Sequence, residues 1–241
     1  MNRILLNSVS CPPNVFDIIV AGMKAVMDRL DWRLCFVADS EAAAGRDILR
    51  LIAEAVEGGA TIIQLRGKKW TTREFLDLGL KASRLLSSKK IPLIINDRVD
   101  IALACKADGV HLGQDDMPLP YAREALGKDR IIGISVVTPA EAEAAQKGGA
   151  DYIGAGPVFS TLSKRDLGPL LGLDGLQAIR QRVIIPILAI GGISTSNISD
   201  VISAGADGVA VISAIASAAN PTRAATELIG IIEKLKNRPR P

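Results

Sequence analysis

The chain has 241 residues, 48% of them hydrophobic, with 22 glycines and a formal net charge of +3. That length exceeds an average domain, yet α/β barrels reach it as single units, and the composition can build a large core with many tight turns. Aromatic residues are only 3% and the basic residues are dispersed, which argues against base stacking and against a nucleic acid partner, though a local basic pocket for phosphates remains compatible.

The first element lies in an extension at 1–30, ahead of a main domain at 31–241. Phe16, Ile19, Val20, Met23, Val26, Met27 and Leu30 recur at helical spacing and predict one amphipathic helix, fit to cover a barrel bottom or a partner subunit. The residues before it lack the long apolar core of a signal peptide, and no run approaches the roughly 18 apolar residues of a membrane span. Cys11, Cys35 and Cys105 form no CxxC pair and are odd in number, so reduced thiols in a cytoplasm are expected.

From Arg33 a rhythm begins. Short apolar runs at 33–38, 61–65, 92–96, 108–112, 131–135, 151–155, 186–190 and 207–212 read as strands. Helical patterns follow at about 46–57, 72–88, 98–105, 118–126, 139–147, 173–182, 195–203 and 221–236. The joints GGATIIQL, KADGVHL, GGADYIGAG and AGADGVAVI repeat, each placing a helix C-cap before the next strand, and Ala-Asp recurs in three of the four. Continuous rather than alternating apolar runs mark strands buried on both faces, as in a parallel sheet. Eight such units predict a single (β/α)8 TIM barrel with an extra N-terminal helix. An open doubly wound sheet fits less well, since no GxGxxG follows the first strand.

In a barrel, function sits where the strands end. Strand 2 ends Gln64-Leu65-Arg66-Gly67-Lys68, and the fork of an Arg with the point charge of a Lys suits a diphosphate; a solvated loop with ordinary charges is the plain alternative. Strand 3 ends Asn96-Asp97-Arg98 and strand 4 ends Gly113-Gln114-Asp115-Asp116. Asp97 alone suits a helix N-cap and Asp116 alone a turn, but on adjacent strands the two would repel unless a proton or a cation sits between them, and Mg²⁺ holding a phosphorylated substrate answers that need. Asp115 competes for the second position. His111, the only histidine, lies inside strand 4 and reads as a hydrogen-bonded positioning residue. Strand 5 ends at Ser135. Strand 6 runs into a long loop with Thr161, Leu162, Ser163 and Lys164, able to wrap a substrate or to serve as plain surface. Strand 7 ends Gly191-Gly192 and strand 8 ends Ile212-Ser213, where this fold usually cradles phosphate with backbone N–H groups. A tight turn is the alternative at the glycines, and a side chain at 192 is expected to fill the cradle. Two anion sites across one mouth fit two phosphorylated small molecules, or one with phosphates at both ends.

QLRGK (64–68), INDRVDIAL (95–103), GVHLGQDDMP (109–118), GADYIGAGPVFSTLSK (149–164), AIGGI (189–193) and GADGVAVISAI (205–215), in this order, resemble the thiamine-phosphate synthase family, from Arg33 to the last helix. Residues 1–30 lie outside the resemblance. It implies a transferase that attaches the methylene of a hydroxymethylpyrimidine diphosphate to the nitrogen of a thiazole phosphate and releases pyrophosphate dissociatively. Gln64, Leu65, Arg66, Gly67, Lys68, Asn96, Ser135 and Lys164 would then bind the pyrimidine diphosphate, and Thr161, Leu162, Ser163, Gly192, Ile212 and Ser213 the thiazole phosphate. Asp97 and Asp116 would hold Mg²⁺, while Arg66, Lys68 and Lys164 stabilise charge on the leaving group.

Three positions depart from the family pattern. Ser163 stands for Thr and keeps the hydroxyl, Gly67 for a common Glu, and Val137 lies where many relatives carry a His. Two rivals remain: a thiazole tautomerase of the same fold, whose members lack the full metal pair and a loop like that of Thr161 to Lys164 and carry a His near Val137, and a non-catalytic phosphate-sensing barrel. A phosphosugar isomerase or aldolase would need a carboxylate base or a Schiff-base Lys on a strand, and no strand interior contains Lys. Homo-oligomerisation is left open.

Overall fold

The computed structural model describes residues 30–161 and 169–236. The helix predicted at Phe16–Leu30 lies outside them except for its last residue, as do residues 162–168 of the loop after strand 6.

Eight strands close into one parallel barrel in sequence order, β1 (Leu34–Asp39), β2 (Ile62–Arg66), β3 (Leu93–Asn96), β4 (Gly109–Leu112), β5 (Ile131–Val136), β6 (Tyr152–Ala155), β7 (Ile187–Ile190) and β8 (Gly208–Val211). β8 returns to β1 with Leu34 opposite Val209, which removes every sheet edge. The helices between them are α1 (Ile48–Glu57), α2 (Thr72–Ser87), α3 (Val99–Ala104), α4 (Leu119–Leu126), α5 (Pro139–Lys147), α6 (Gly172–Arg180) and α7 (Ile198–Ser203). After β8 come a short α8 (Ser213–Ala216) and a final α9 (Pro221–Lys236). Among the described residues the one element without a predicted counterpart is α8, because four residues carry no measurable period. The predicted start at 195 for α7 is too early, since Ser194 to Asn197 form a turn closed by Asn197 Oδ1 on the Ser194 N–H.

Helix starts follow local chemistry. Asp47 accepts from the Leu49 and Arg50 N–H groups ahead of α1, and Thr71/Glu74 and Thr138/Glu141 form reciprocal capping boxes ahead of α2 and α5. Strand residues facing the helices, such as Leu34, Phe36, Ile63, Leu65, Ile95 and Val110, are at most 1% exposed. Burying each contributes about 1.5–3 kcal/mol, so the layer between barrel and helices holds the fold.

The repeated joints have a shared task at the bottom of the barrel. Thr61, Asp108, Asp151 and Asp207 precede the even strands. Their side chains accept from the N–H of Leu34, Leu93, Ile132 and Ile187 at 3.0, 2.8, 2.7 and 2.8 Å, at or next to the start of the preceding odd strand. Their own N–H groups donate back to the carbonyls of those same four residues. Each odd strand is thereby clamped to the next, and the barrel divides into four βαβ quarters. The residue two positions earlier in each joint takes a positive φ: Gly59 (100°), Lys106 (55°), Gly149 (87°) and Gly205 (107°). The following Ala N–H reaches back five residues to close the helix end, as Ala60 does to Ala55 and Ala150 to Ala145. Three of the four positions are glycine, as that conformation favours; Lys106 pays the Cβ penalty.

Candidate active site

The barrel interior under the mouth is polar on one side. Gln64 and Arg66 of β2, Asn96 of β3, His111 of β4, Ser135 of β5 and Tyr152 of β6 line it, facing Val37, Leu188, Ile190 and Ala210. Alternation along β2 does point Gln64 and Arg66 inward together, and Gln64 Nε2 donates to Asn96 Oδ1 at 3.2 Å. Leu65, between them, is fully buried against the helix layer, so only its backbone is available to a ligand.

Arg66 is buried and ion-paired with Asp39 at the end of β1, whose carboxylate also accepts from the Glu41 and Ala42 N–H groups at 3.0 and 2.9 Å. The sequence reading missed Asp39. One carboxylate closing an apolar run has no motif around it, and only the register that sets Asp39 opposite Arg66 reveals its role. The pair holds the guanidinium against solvation loss and fixes its fork at the mouth.

Gly67 follows without a side chain because the Trp70 ring occupies that space; a Cβ there would lie 1.7 Å from Trp70 Cε3. The departure from Glu is thus coupled to Trp70, which packs edge-on against Phe75 with ring centroids 5.4 Å apart. Lys68 is exposed and reaches Asp97 at 3.5 Å.

Asp97 and Asp116 meet. Burial first, then the hydrogen bond and charge of Asp116, push the Asp97 carboxyl above its usual range, while Lys68 pulls the other way. The capping alternative for Asp97 does not hold: the N-cap of α3 is Arg98, with no side-chain capping bond, and Asp97 itself sits at φ 64° with its N–H donating to the His111 carbonyl. Asp116 does take the turn role, accepting from the Gly113 N–H at 2.7 Å, and still faces Asp97. Asp115 is exposed. Two abutting carboxylates beside one ammonium form an oxygen donor set that fits a hard cation such as Mg²⁺, which is bound through one or two carboxylates plus phosphate oxygens.

His111 lies between two hydroxyls, Nδ1 at 2.9 Å from the Tyr152 hydroxyl and Nε2 at 2.9 Å from Ser135 Oγ. Burial raises the Tyr152 phenol well above its ordinary value, so it keeps its proton. The ring is thus hydrogen-bonded through both nitrogens from within β4. Tyr152, another residue the sequence reading did not single out, fits because β5 offers Gly133 opposite; a Cβ on Gly133 would lie 2.1 Å from the phenol ring.

The other side of the mouth is built from backbone. Val158 and Phe159 N–H groups donate to the Ile190 and Gly191 carbonyls, which extends the β6–β7 pairing into the loop. Gly192 has φ 65°, and a Cβ there would lie 2.6 Å from the Ser160 carbonyl oxygen and 2.7 Å from Phe159 Cβ. This corrects the expectation that a side chain at 192 would fill an open cradle: the space is already taken by the loop after β6, which such a side chain would displace. Ile212, buried, is the N-cap of α8, and Ser213 is its exposed first residue. Thr161 is described at the loop's near end; Leu162, Ser163 and Lys164 lie outside the described residues.

Comparison with known proteins places the chain in a family and supports the barrel fold. Residues 34–215 match the family model for thiamine monophosphate synthase. A thiamine-phosphate synthase of Chloroflexus aurantiacus is 48% identical over 203 residues, 84% of this chain and 94% of the relative. That of Moorella thermoacetica is 46% identical over 86% of this chain and 99% of its own. The solved structure of a thiamine phosphate pyrophosphorylase from Pyrococcus furiosus superposes with a TM-score of 0.78 at 40% identity, covering 86% of this chain and 98% of that one.

Proposed function

The chain belongs to the thiamine monophosphate synthase family, and from that premise we propose that it couples a hydroxymethylpyrimidine diphosphate to a thiazole phosphate, yielding thiamine phosphate and pyrophosphate. It is a transferase of thiamine biosynthesis. The observation that carries the site assignment is the meeting of Asp97 and Asp116 beside Lys68, within the rim that also holds Arg66, Gln64, Asn96 and Ser135.

In this reading the diphosphate lies on the β2–β5 side. Arg66, oriented by Asp39, and Lys68 offer cationic donors to the leaving pyrophosphate, with Lys164 assigned to the same anion by the resemblance. Asp97 and Asp116 would hold Mg²⁺, which when bound supplies Lewis-acid stabilisation of the charge that grows on the leaving group. Gln64, Asn96 and Ser135 orient the pyrimidine end through hydrogen bonds. The thiazole phosphate is assigned to the β6–β8 side, at Thr161, Leu162, Ser163, Gly192, Ile212 and Ser213, where backbone N–H groups and hydroxyls suit a phosphate dianion. The thiazole nitrogen carries its own lone pair and needs no base, so the site works by placing two reactants face to face and by stabilising charge.

Small phosphorylated substrates, rather than nucleic acid or a membrane, fit the net charge of +3 and this mouth. No helix among the described residues is long and apolar enough to cross a membrane. Cys35 and Cys105 are free and buried, and burial pushes the Cys35 thiol up to about 12, so it stays protonated and unreactive; a cytoplasmic location is part of the same proposal and rests on the odd, unpaired spacing of the cysteines. Self-association is part of the same proposal; Leu103, Met117 and Tyr121 leave apolar surface exposed on and near α3 and α4, and sedimentation reads it.

The test is pyrophosphate release with both substrates and Mg²⁺ supplied. Release that requires all three supports the proposal; none, or release from the diphosphate regardless of thiazole phosphate, overturns it.

A further inference from the structure

We propose that Tyr152, His111 and Ser135 form a proton-ordered relay, running from the barrel interior to its mouth, that presents the Ser135 hydroxyl as a hydrogen-bond donor to an anionic oxygen. Satisfied hydrogen-bond donors set the order of the relay. The Tyr152 side chain is 3% exposed, and among the described residues its hydroxyl has one hydrogen-bond partner, His111 Nδ1 at 2.9 Å. A buried hydroxyl whose proton meets no acceptor is costly, so the phenol donates to Nδ1. Nδ1 is then the unprotonated nitrogen and the imidazole proton sits on Nε2, which lies 2.9 Å from Ser135 Oγ. Ser135 accepts that proton's bond, and its own hydroxyl proton is left to point elsewhere. Of the three, only Ser135 is half-buried; His111 and Tyr152 are buried.

The surroundings are shaped to keep this order. A Cβ on Gly154 would lie 2.8 Å from His111 Cε1, and one on Gly133 would enter the Tyr152 ring, so two glycines leave room for the rings. Trp32 packs on Tyr152 with centroids 5.0 Å apart, on the barrel's lower side. Gln114 Nε2 donates to the Ser135 carbonyl at 2.6 Å and fixes the strand end that carries the hydroxyl. His111 and Tyr152 are thus positioning residues, acting through Ser135. A donor is what a diphosphate oxygen requires, and the ligand named here rests on the functional reading above.

The chain contains a single histidine, so ¹⁵N-histidine labelling gives one imidazole spectrum. Long-range ¹⁵N–¹H correlation of the unmodified protein at neutral pH is expected to show one ring proton, on Nε2. A proton on Nδ1 overturns the relay. The second arm measures binding of pyrophosphate with Mg²⁺ by calorimetry. Ser135→Ala and Tyr152→Phe are each expected to weaken it about tenfold, the scale of one hydrogen bond. The double variant should lose no more than either single one, because both remove the same donor. Parental affinity in Tyr152→Phe, or losses that multiply in the double variant, overturns the relay. Failure of the parent to bind pyrophosphate counts against the functional reading, and the histidine spectrum decides the relay without any variant or ligand.

Discussion

On the β1–β5 side of the mouth the working groups are charged or polar side chains, and each comes with a partner: Asp39 with Arg66, Lys68 with Asp97, Asp97 with Asp116, Gln64 with Asn96, His111 with Ser135. On the β6–β8 side the structural work is done by backbone. Gly156, Gly191 and Gly192 press against neighbouring chain so closely that a Cβ on any of them would come within 2.6 Å of another heavy atom. The difference follows from what each group costs when no ligand is present. A half-buried charge must be compensated, whereas a loop amide at the surface is satisfied by water. Chemistry on the first side can therefore be altered one side chain at a time with the backbone left in place. On the second side most substitutions act through the backbone.

The largest expected effect tests the first side. Asp97→Asn is expected to lower Mg²⁺-dependent turnover by about a thousandfold, the scale of losing a main electrostatic stabiliser. Asn accepts the positive φ of this position and relieves the repulsion from Asp116, so the melting temperature in Mg²⁺-free buffer should be unchanged or higher. Turnover within tenfold of the parent would remove Asp97 from the metal assignment. Asp39→Ala comes next. It leaves Arg66 buried without its counter-ion, and a loss of about 3 kcal/mol in denaturant unfolding is expected. A loss below 1 kcal/mol would mean that Arg66 is not held by Asp39.

Gly192→Val addresses the second side. The positive φ and the contact with Ser160 together predict a loss of about 2 kcal/mol in unfolding free energy, with the KM for the thiazole phosphate rising more than that for the pyrimidine diphosphate. If both KM values rise alike, the two sides are not separable in the way described. The smallest effect is a control at the opposite end of the barrel. Lys106→Gly relieves a non-glycine residue at φ 55° and is expected to raise stability by about 0.5 kcal/mol with unchanged kinetics.

Much of this was legible in the residues. The eight strands stand out as apolar runs because parallel strands are buried on both faces, and their order fixes which residues reach the mouth. The Asp97 and Asp116 strings, the Arg66 and Lys68 pair and the glycines after β7 were visible because each changes character abruptly at a strand end. Asp39 and Tyr152 were not, since their roles depend on neighbours on other strands, 27 and 41 residues away in sequence. The Ala-Asp repeat reads as punctuation in the sequence, and its side-chain bond to the previous strand follows only from the register. The consequence of a side chain at Gly192 is not legible locally, because the loop after β6 folds onto it, a contact no local pattern encodes.

The four clamps at the barrel bottom bear on how the chain finds its shape. Each joins residues only 27, 15, 19 and 20 positions apart, so a quarter can close on itself before its neighbours are in place. The entropy of ring closure is then divided into four short steps, and only the β8–β1 seam requires the two ends of the barrel sequence to meet. Assembly by quarters would let a nascent chain bury each pair of strands as it emerges, with the last seam as the sole long-distance search.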